Sequence, residues 1–519
     1  MPAKQEANGT AGAAGAAAAA STADTDAERE RKRLERCASW RQFGACVSVQ
    51  TLHFMTGVCM AYSSSLIPAL EDPETSEIPL DSEHRMGAWL ASTFVLSVPV
   101  GALVSMLLND KLGRVALIKS ACAPFCLGWV LIATAQSFAM LVVGRLLTGI
   151  AIGLAHSPSL LFCAEVANKN IRGGLSAMAT GFASMAIVAC YGMGAAMHWR
   201  THAWANCAVF AVPLTLQTLF SMESPVWLKA RARDEAAAAS SLYYYNDPDV
   251  VLSGPSSASS PGKEEAVWRK FKPLFCRPSG YKPLVLNATV FALQQLVGVY
   301  ITIYYAVTFL QETKSSLDPY LATICIGLVR LVGCTGTSLV MTRFGRRPLM
   351  LVSSVGQAVC MLVSGYATHL ILQEEGSASS WWVVMGLLGY IALGCLGWQV
   401  VPWSMMAELF PHQVRGLAQP LNSATAHILM FAMLQAYPVI SELVGGAAGI
   451  QFLFAAFSVL GGVFVFVFLP ETRGRTLQEI EDYFQNNVVY VTERRRRRAA
   501  RREAAVAAIT SKQAVVPAV

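Results

Sequence analysis

Twelve stretches of this chain are apolar over about twenty residues each, the length a helix needs to cross roughly 30 Å of hydrocarbon. They cover residues 43–69, 86–108, 115–135, 139–164, 174–197 and 203–222, then, after a break, 283–310, 319–341, 347–371, 381–406, 417–440 and 447–469. Backbone polar groups find no water inside a bilayer, so each stretch must close its hydrogen bonds within itself as a helix. A soluble domain carries about 25% charged residues. Here the share is 14%, against 54% hydrophobic. The expected fold class is therefore an all-α membrane protein with twelve transmembrane helices. Only the region of Gln136 and Ser137 separates the third stretch from the fourth.

Basic residues give the orientation. The connections after even-numbered spans hold Lys111, Arg114, Lys119, Lys169, Arg172, Lys229, Arg231, Arg343, Arg346, Arg347 and Arg415, whereas Arg85, Arg200 and Lys314 stand out in the alternate loops. The positive-inside rule then puts both termini in the cytosol. Most of the net charge of +7 sits in these loops and in the tails, so it does not point to nucleic acid. Residues 1–42 read as a cytosolic tail with no signal peptide, because the Ala/Gly tract and DAERERKRLER lack an apolar core. Residues 43–228 form the first half, 229–282 a cytosolic linker with short helices, 283–475 the second half, and 476–519 a cytosolic helix and tail. KARARDEAAAASSLYYY, EAVWRKFKPLF and TLQEIEDYF read as helices of these cytosolic parts. The run ERRRRRAARRE, 493–503, is expected to be solvated and drawn to anionic lipid headgroups. The cysteines fall mostly inside apolar spans, and no structural disulfide is expected.

Three motifs occur twice, once in each half and at nearly equal separations. DKLGR, with Asp110 and Arg114, recurs as TRFGRR, with Arg346 and Arg347. EVANKNIRG, from Glu165 to Arg172, recurs as ELFPHQVRG, from Glu408 to Arg415. MESPVWL, with Glu223, has its counterpart in PETRGRTL, with Glu471. Such repetition indicates two homologous six-helix halves. All of these residues lie at cytosolic span ends, where carboxylates and guanidinium groups can form a latch across the cytosolic face. Topological anchoring by basic loops would explain the arginines, but not the matched positions of Glu165 and Glu408.

The seventh stretch contains QQLVGVYITIYY, Gln294 to Tyr305. Two amides and three tyrosines inside hydrocarbon must face protein or a watery cavity, since an unsatisfied polar group there costs several kcal/mol. Adjacent helical residues lie about 100° apart, so one of the two glutamines points squarely into a cavity. The bland alternative is bonding between helices.

At these residues the chain resembles the sugar porter family of the major facilitator superfamily. The motifs are DKLGR, GRLLTGIAIG, the Glu165 and Arg172 pair, ESPVWL, QQLVGVYITIYY, RFGRRPL, VPWSMMAELFPHQVRG and LPETRG. AYSSSLIPAL and GLVRLVG are closer to the arthropod branch of glucose and trehalose transporters. The resemblance implies that Gln294 and Gln295 bond sugar hydroxyls, that Tyr304 and Tyr305 close an outer gate, and that Trp403 lines the site. An aromatic face under a sugar, with amides reading its hydroxyls, suits a neutral polyol.

Several positions depart from the family pattern. Thr180 stands for a glutamine of span 5, Tyr300 for an asparagine of span 7, and Arg330 for an asparagine of span 8. Gln399 replaces a glycine, His427 a tryptophan of span 11, and Thr342 an acidic residue; Leu160 and Phe162 alter the approach to Glu165. Arg330 in mid-span costs at least about 2.5 kcal/mol and needs a partner. It either donates to a substrate oxygen or bonds carbonyls and hydroxyls between helices. His53, His156 and His427 are also intramembrane. Ser63 stands where proton-driven members keep an aspartate, so facilitated diffusion is the expectation.

The sequence thus points to a facilitative transporter of a sugar or polyol in the plasma membrane, working by alternating access. Its alternatives are a carrier of an anionic solute with Arg330 as counter-charge, and a transporter-like nutrient sensor. No enzyme chemistry, cofactor or metal is expected, because the sequence has no metal cluster, nucleophile–base pair or phosphate loop. The partners are a small-molecule solute and the bilayer.

Overall fold

All regular structure among the described residues of the computed structural model is helical. Those residues are 29–30, 33–71, 78, 85–167, 169–248, 274–312, 318–373, 380–410, 412–473, 475, 477–487 and 490. Among the described residues, eleven helices are long and apolar enough to cross a membrane. In the first half they are span 1 (Arg33–Glu71), span 2 (Arg85–Leu112), span 3 (Arg114–Ala133), span 4 (Phe138–Val166), span 5 (Lys169–Ala196) and span 6 (Trp199–Phe220). In the second half they are span 8 (Pro319–Arg343), span 9 (Arg346–Leu372), span 10 (Trp381–Met406), span 11 (His412–Leu443) and span 12 (Gly446–Phe468). Span 7 completes the twelve, in three pieces: Pro278–Leu296, Ile301–Tyr304 and Ala306–Glu312.

The boundary between spans 3 and 4 is sharp. Span 3 ends at Ala133, and Ser137 caps span 4 by accepting from the Met140 amide at 3.4 Å. Span 1 begins earlier than hydropathy predicts. Its extra turns dock on the linker, where Gln42 Nε2 donates to Tyr244 O at 3.0 Å. The linker helix read from Lys229 to Tyr245 is two helices, Pro225–Ala230 and Asp234–Tyr245, parted at Ala232, whose φ of 52° leaves the right-handed region. The helix after span 12 runs Leu477–Asn486. EAVWRKFKPLF (apart from its last two residues), the N-terminal Ala/Gly tract and the polybasic run lie outside the described residues.

Packing repeats with the sequence. Span 1 packs on 5, 2 on 4, 3 on 4 and 3 on 6; six spans later, 7 packs on 11, 8 on 10, 9 on 10 and 9 on 12. The halves meet where span 2 packs on 11 and span 5 on 8, two contacts that the same six-span shift exchanges. GRLLTGIAIG acquires a physical reason here. A Cβ on Gly149 would fall 2.0 Å from Phe94 O, and one on Gly153 2.2 Å from Val98 O, so spans 2 and 4 touch at backbone distance.

Spans 7 and 10 are both broken, at 297–300 and 397–400. Gly298, with φ 86°, makes the first break possible, and a Cβ there would lie 2.4 Å from the Phe454 ring. A break within a bundle leaves carbonyls that must find partners. Each break is supported from across the gap: Gln294 Nε2 donates to Trp398 O, and the Tyr390 hydroxyl donates to Val297 O at 2.8 Å.

Candidate functional site

The two breaks bring their side chains together between the halves. Trp403, just past the span 10 break, donates through Nε1 to the Tyr300 hydroxyl at 2.8 Å. Its ring also meets Phe291 at 5.1 Å, His427 at 5.6 Å and, from the first half, His156 at 6.1 Å. His156 continues the row to His53 at 5.0 Å. His53 Nε2 lies 3.2 Å from Ser159 Oγ, His427 Nδ1 donates to Ser423 O at 2.7 Å, and His156 Nε2 has no partner among the described residues. A small cavity between spans 1 and 4 is lined by His53, Thr56, His156 and Ser159.

The structure divides the glutamine pair. Gln294 is fully buried and spends its amide on the span 10 break. Gln295 is also buried, and its Nε2 has no hydrogen-bond partner among the described residues. Gln399 is buried with Oε1 facing two thiols, Cys334 at 3.6 Å and Cys395 at 3.5 Å. Arg330, 6% exposed, leaves Nε and Nη1 without partners among the described residues. Thr180 is half-buried on span 5, and its carbonyl accepts from Ser184.

Tyr304 and Tyr305 lie toward the end of the bundle opposite the repeated motifs. Tyr304 stacks on Phe94 of span 2 at 5.7 Å, and its hydroxyl reaches Met430 Sδ at 3.6 Å. Tyr305 donates to Leu434 O at 3.4 Å. Near them the halves are bonded directly: the Val307 amide donates to Ser64 Oγ at 3.2 Å, and the Tyr191 hydroxyl to Ile303 O at 2.9 Å. The last two pieces of span 7 are thus bonded to the first half at that end of the seam.

At the other end, the repeated motifs assemble into one unit per half. In the first, Arg114 pairs with Glu165, Nη2 to Oε1 at 2.8 Å and Nε to Oε2 at 3.2 Å. Ser224 Oγ also donates to Glu165, while Glu223 accepts from the amides of Arg114 at 2.8 Å and Val115 at 3.0 Å. A carboxylate here meets the open donors and the positive dipole end of span 3. In the second half, Arg346 pairs with Glu408 at 2.6 Å, Thr472 Oγ1 donates to Glu408 at 2.7 Å, and Glu471 accepts from the amides of Arg346 and Arg347 at 3.1 and 3.2 Å. The glycine before each arginine leaves room for the capping carboxylate: a Cβ on Gly113 would lie 2.6 Å from Glu223 Oε2, and one on Gly345 2.2 Å from Glu471 Oε2.

Both of these ion pairs are internal to a half. Arg347 adds contacts of a different kind. Its side chain donates to Val465 O and Phe466 O and lies over the Tyr490 ring at 4.4 Å. The side chains of Asp110, Arg172 and Arg415 lie outside the described residues.

One buried residue has no role in the sequence reading. Arg145 of GRLLTGIAIG is fully buried; Nε donates to Leu90 O at 3.2 Å, Nη1 to Cys59 O at 3.0 Å, and Nη2 to Ser63 Oγ. The available signal was a charge inside an apolar span, the same one that marks Arg330.

The family model described as "Sugar (and other) transporter" matches residues 45–484. Among curated proteins, the chain is 27% identical to the facilitated trehalose transporter Tret1 of Aedes aegypti, over 85% of this chain and 55% of that protein, so it spans about half of that relative's length. It is also 27% identical to Tret1 of Culex quinquefasciatus, over 85% of this chain and 86% of that one. Among solved structures, the proton:xylose symporter XylE bound to 6-bromo-6-deoxy-D-glucose superposes with a TM-score of 0.69 at 21% identity, covering 86% of this chain and 99% of the other. A partially occluded inward-open form of XylE from E. coli gives 0.67 at 20% identity, covering 84% and 100%. These likenesses give the twelve-span major facilitator fold, and the match over residues 45–484 shows that the chain belongs to the sugar (and other) transporter family.

Proposed function

We propose that the protein carries a sugar or related polyol down its gradient, as a uniporter of the plasma membrane with cytosolic termini. One observation carries the proposal: the two broken spans converge on Trp403, where its aromatic face and the Tyr300 hydroxyl meet His156 of the first half, and the same broken span 7 carries the Gln295 amide, unpartnered among the described residues. An apolar ring face with nearby hydroxyl and amide groups is what a polyol requires. The Aedes and Culex relatives are named as facilitated trehalose transporters, which supports this substrate class and passive flux. Passive flux also agrees with the surroundings of Arg145, whose arms end on carbonyls and Ser63 rather than a carboxylate.

In this reading, Gln295, Tyr300, Gln399, Trp403 and His427 contact the solute, with Thr180 approaching from the first half. Gln294 acts as a positioning residue that holds the span 10 break. Tyr304 and Tyr305 belong to the closed exterior gate. The two motif units keep each half rigid at its cytosolic end, so that the halves rock about the seam as bodies. The polybasic run at 493–503 would hold the C-terminal tail to anionic headgroups.

Radiolabelled uptake into proteoliposomes tests the proposal. Saturable entry of trehalose or a hexose, competed by its unlabelled form, is the expected result. Solute-dependent signalling without flux of any solute would replace the transporter with a sensor.

A further inference from the structure

Two arginines lie well inside the spans, and the fold treats them differently. Arg145 is satisfied on all sides: its three nitrogens end on Leu90 O, Cys59 O and Ser63 Oγ, and its plane lies 5.0 Å from the Phe94 ring centre. This is how a guanidinium with a structural role is built into this bundle. Arg330 is buried almost as deeply, at 6% exposure, yet among the described residues Nε and Nη1 have no acceptor. Helix-to-helix bonding to carbonyls, the bland reading of a mid-span arginine, is therefore not what these two nitrogens do.

The groups within electrostatic reach of Arg330 are Tyr191, Tyr300, Tyr304, Cys334 and Cys395. They are phenols and thiols, and among the described residues no carboxylate lies within ion-pair distance of Arg330. They come from span 5 of one half and spans 7, 8 and 10 of the other, so Arg330 stands at the seam, beside the Tyr300–Trp403 pair. An arginine stays charged in a protein, and a buried charge without an opposite one is unfavourable. A sugar hydroxyl can accept from it but leaves the charge uncompensated. A carboxylate matches the planar fork with two parallel bonds and removes the charge at the same time.

We infer that the preferred solute carries an anionic group, and that its class is a carboxylated sugar, a uronate or an aldonate. Its carboxylate sits on Arg330, and its hydroxyls on the Gln295 amide and the Tyr300 hydroxyl. The inference rests on the proposed sugar transport and names the substrate class of that same site.

The test uses the full chain in proteoliposomes, with labelled glucose and trehalose and with unlabelled glucuronate and gluconate as competitors, followed by direct uptake of labelled glucuronate. Glucuronate or gluconate should compete at concentrations at least tenfold lower than glucose does. A uniporter of a monoanion moves charge, so an inside-positive potassium–valinomycin potential should speed glucuronate uptake and leave glucose uptake alone. Arg330→Gln should lower the acid-to-glucose uptake ratio at least tenfold, with Arg330→Lys between the two. Competition in the unsubstituted protein needs no variant, so poor folding of Arg330→Gln does not remove the test. Neutral-sugar flux that neither acid competes with overturns this inference and leaves sugar transport standing. Flux of neither class overturns both.

Discussion

The Arg145 guanidinium donates to the Ser63 hydroxyl, tying span 4 to span 1. A neutral partner suffices because Leu90 O and Cys59 O take the other arms, and Tyr62 and Phe94 cover the plane. Nothing in this contact has to gain or lose a proton as the halves move. Ser63→Asp places a carboxylate on Arg145 that can be titrated. Its initial uptake rate should become dependent on external pH, while the unsubstituted protein shows a flat profile with protonophore present. An equal pH dependence in both proteins would place a titrating group elsewhere, with the adjacent His53 and His156 as the first candidates.

The motif units predict a separation of stability from turnover. Glu223→Ala strips the N-terminus of span 3 of a carboxylate that accepts its first amides, and Glu471→Ala does the same to span 9. Each should cost about 1 kcal/mol, visible as a lower melting temperature in detergent. Glu165→Gln removes the charge of the acceptor in the largely buried Arg114–Glu165 pair. Glu165→Gln should cost ~3 kcal/mol. Glu408→Gln, at the more exposed pair, should cost less and slow turnover more than it weakens solute binding. Unchanged turnover in both carboxamide variants would remove the units from the transport cycle.

Tyr300→Phe deletes the acceptor of the Trp403 indole N–H. This bond is part-buried, and a donor left unpaired there costs about 1 kcal/mol. Uptake should show a raised KM with a smaller change in maximal rate, because the Trp403 ring loses the bond that sets its tilt in the site. An effect confined to the maximal rate would make Tyr300 part of the moving gate instead.

Gly298→Ala tests the break in span 7. The added methyl meets a φ of 86° and the Phe454 ring, at a combined cost of about 2 kcal/mol or more. The variant should melt earlier and transport poorly. Normal melting with normal uptake would mean that the break is not needed.

Hydropathy made the twelve spans legible, because a length of about twenty apolar residues is a local property. The breaks in spans 7 and 10 were not legible. One glycine in a long apolar run reads as a tolerated helical residue, and what opens the turn at Gly298 is support from Gln294, Tyr390 and Trp398, brought together only by the fold. The motif repeat exposed Arg114, Glu165, Glu223 and their counterparts as a set. It did not tell which carboxylate caps a helix and which pairs with a guanidinium, since both carry the same charge. Tertiary placement alone assigns Glu223 to amides and Glu165 to Arg114. The glutamine pair was half legible: helical geometry required the two to differ, and the fold decides that Gln294 is the one committed to another span.

The most direct test of passive sugar transport is the steady-state ratio of internal to external labelled trehalose or hexose in proteoliposomes, with the membrane potential held at zero and a pH gradient imposed. A uniporter brings the ratio to one whether or not the gradient is present. Accumulation above the external concentration, lost on adding a protonophore, would show proton-driven transport and contradict the account.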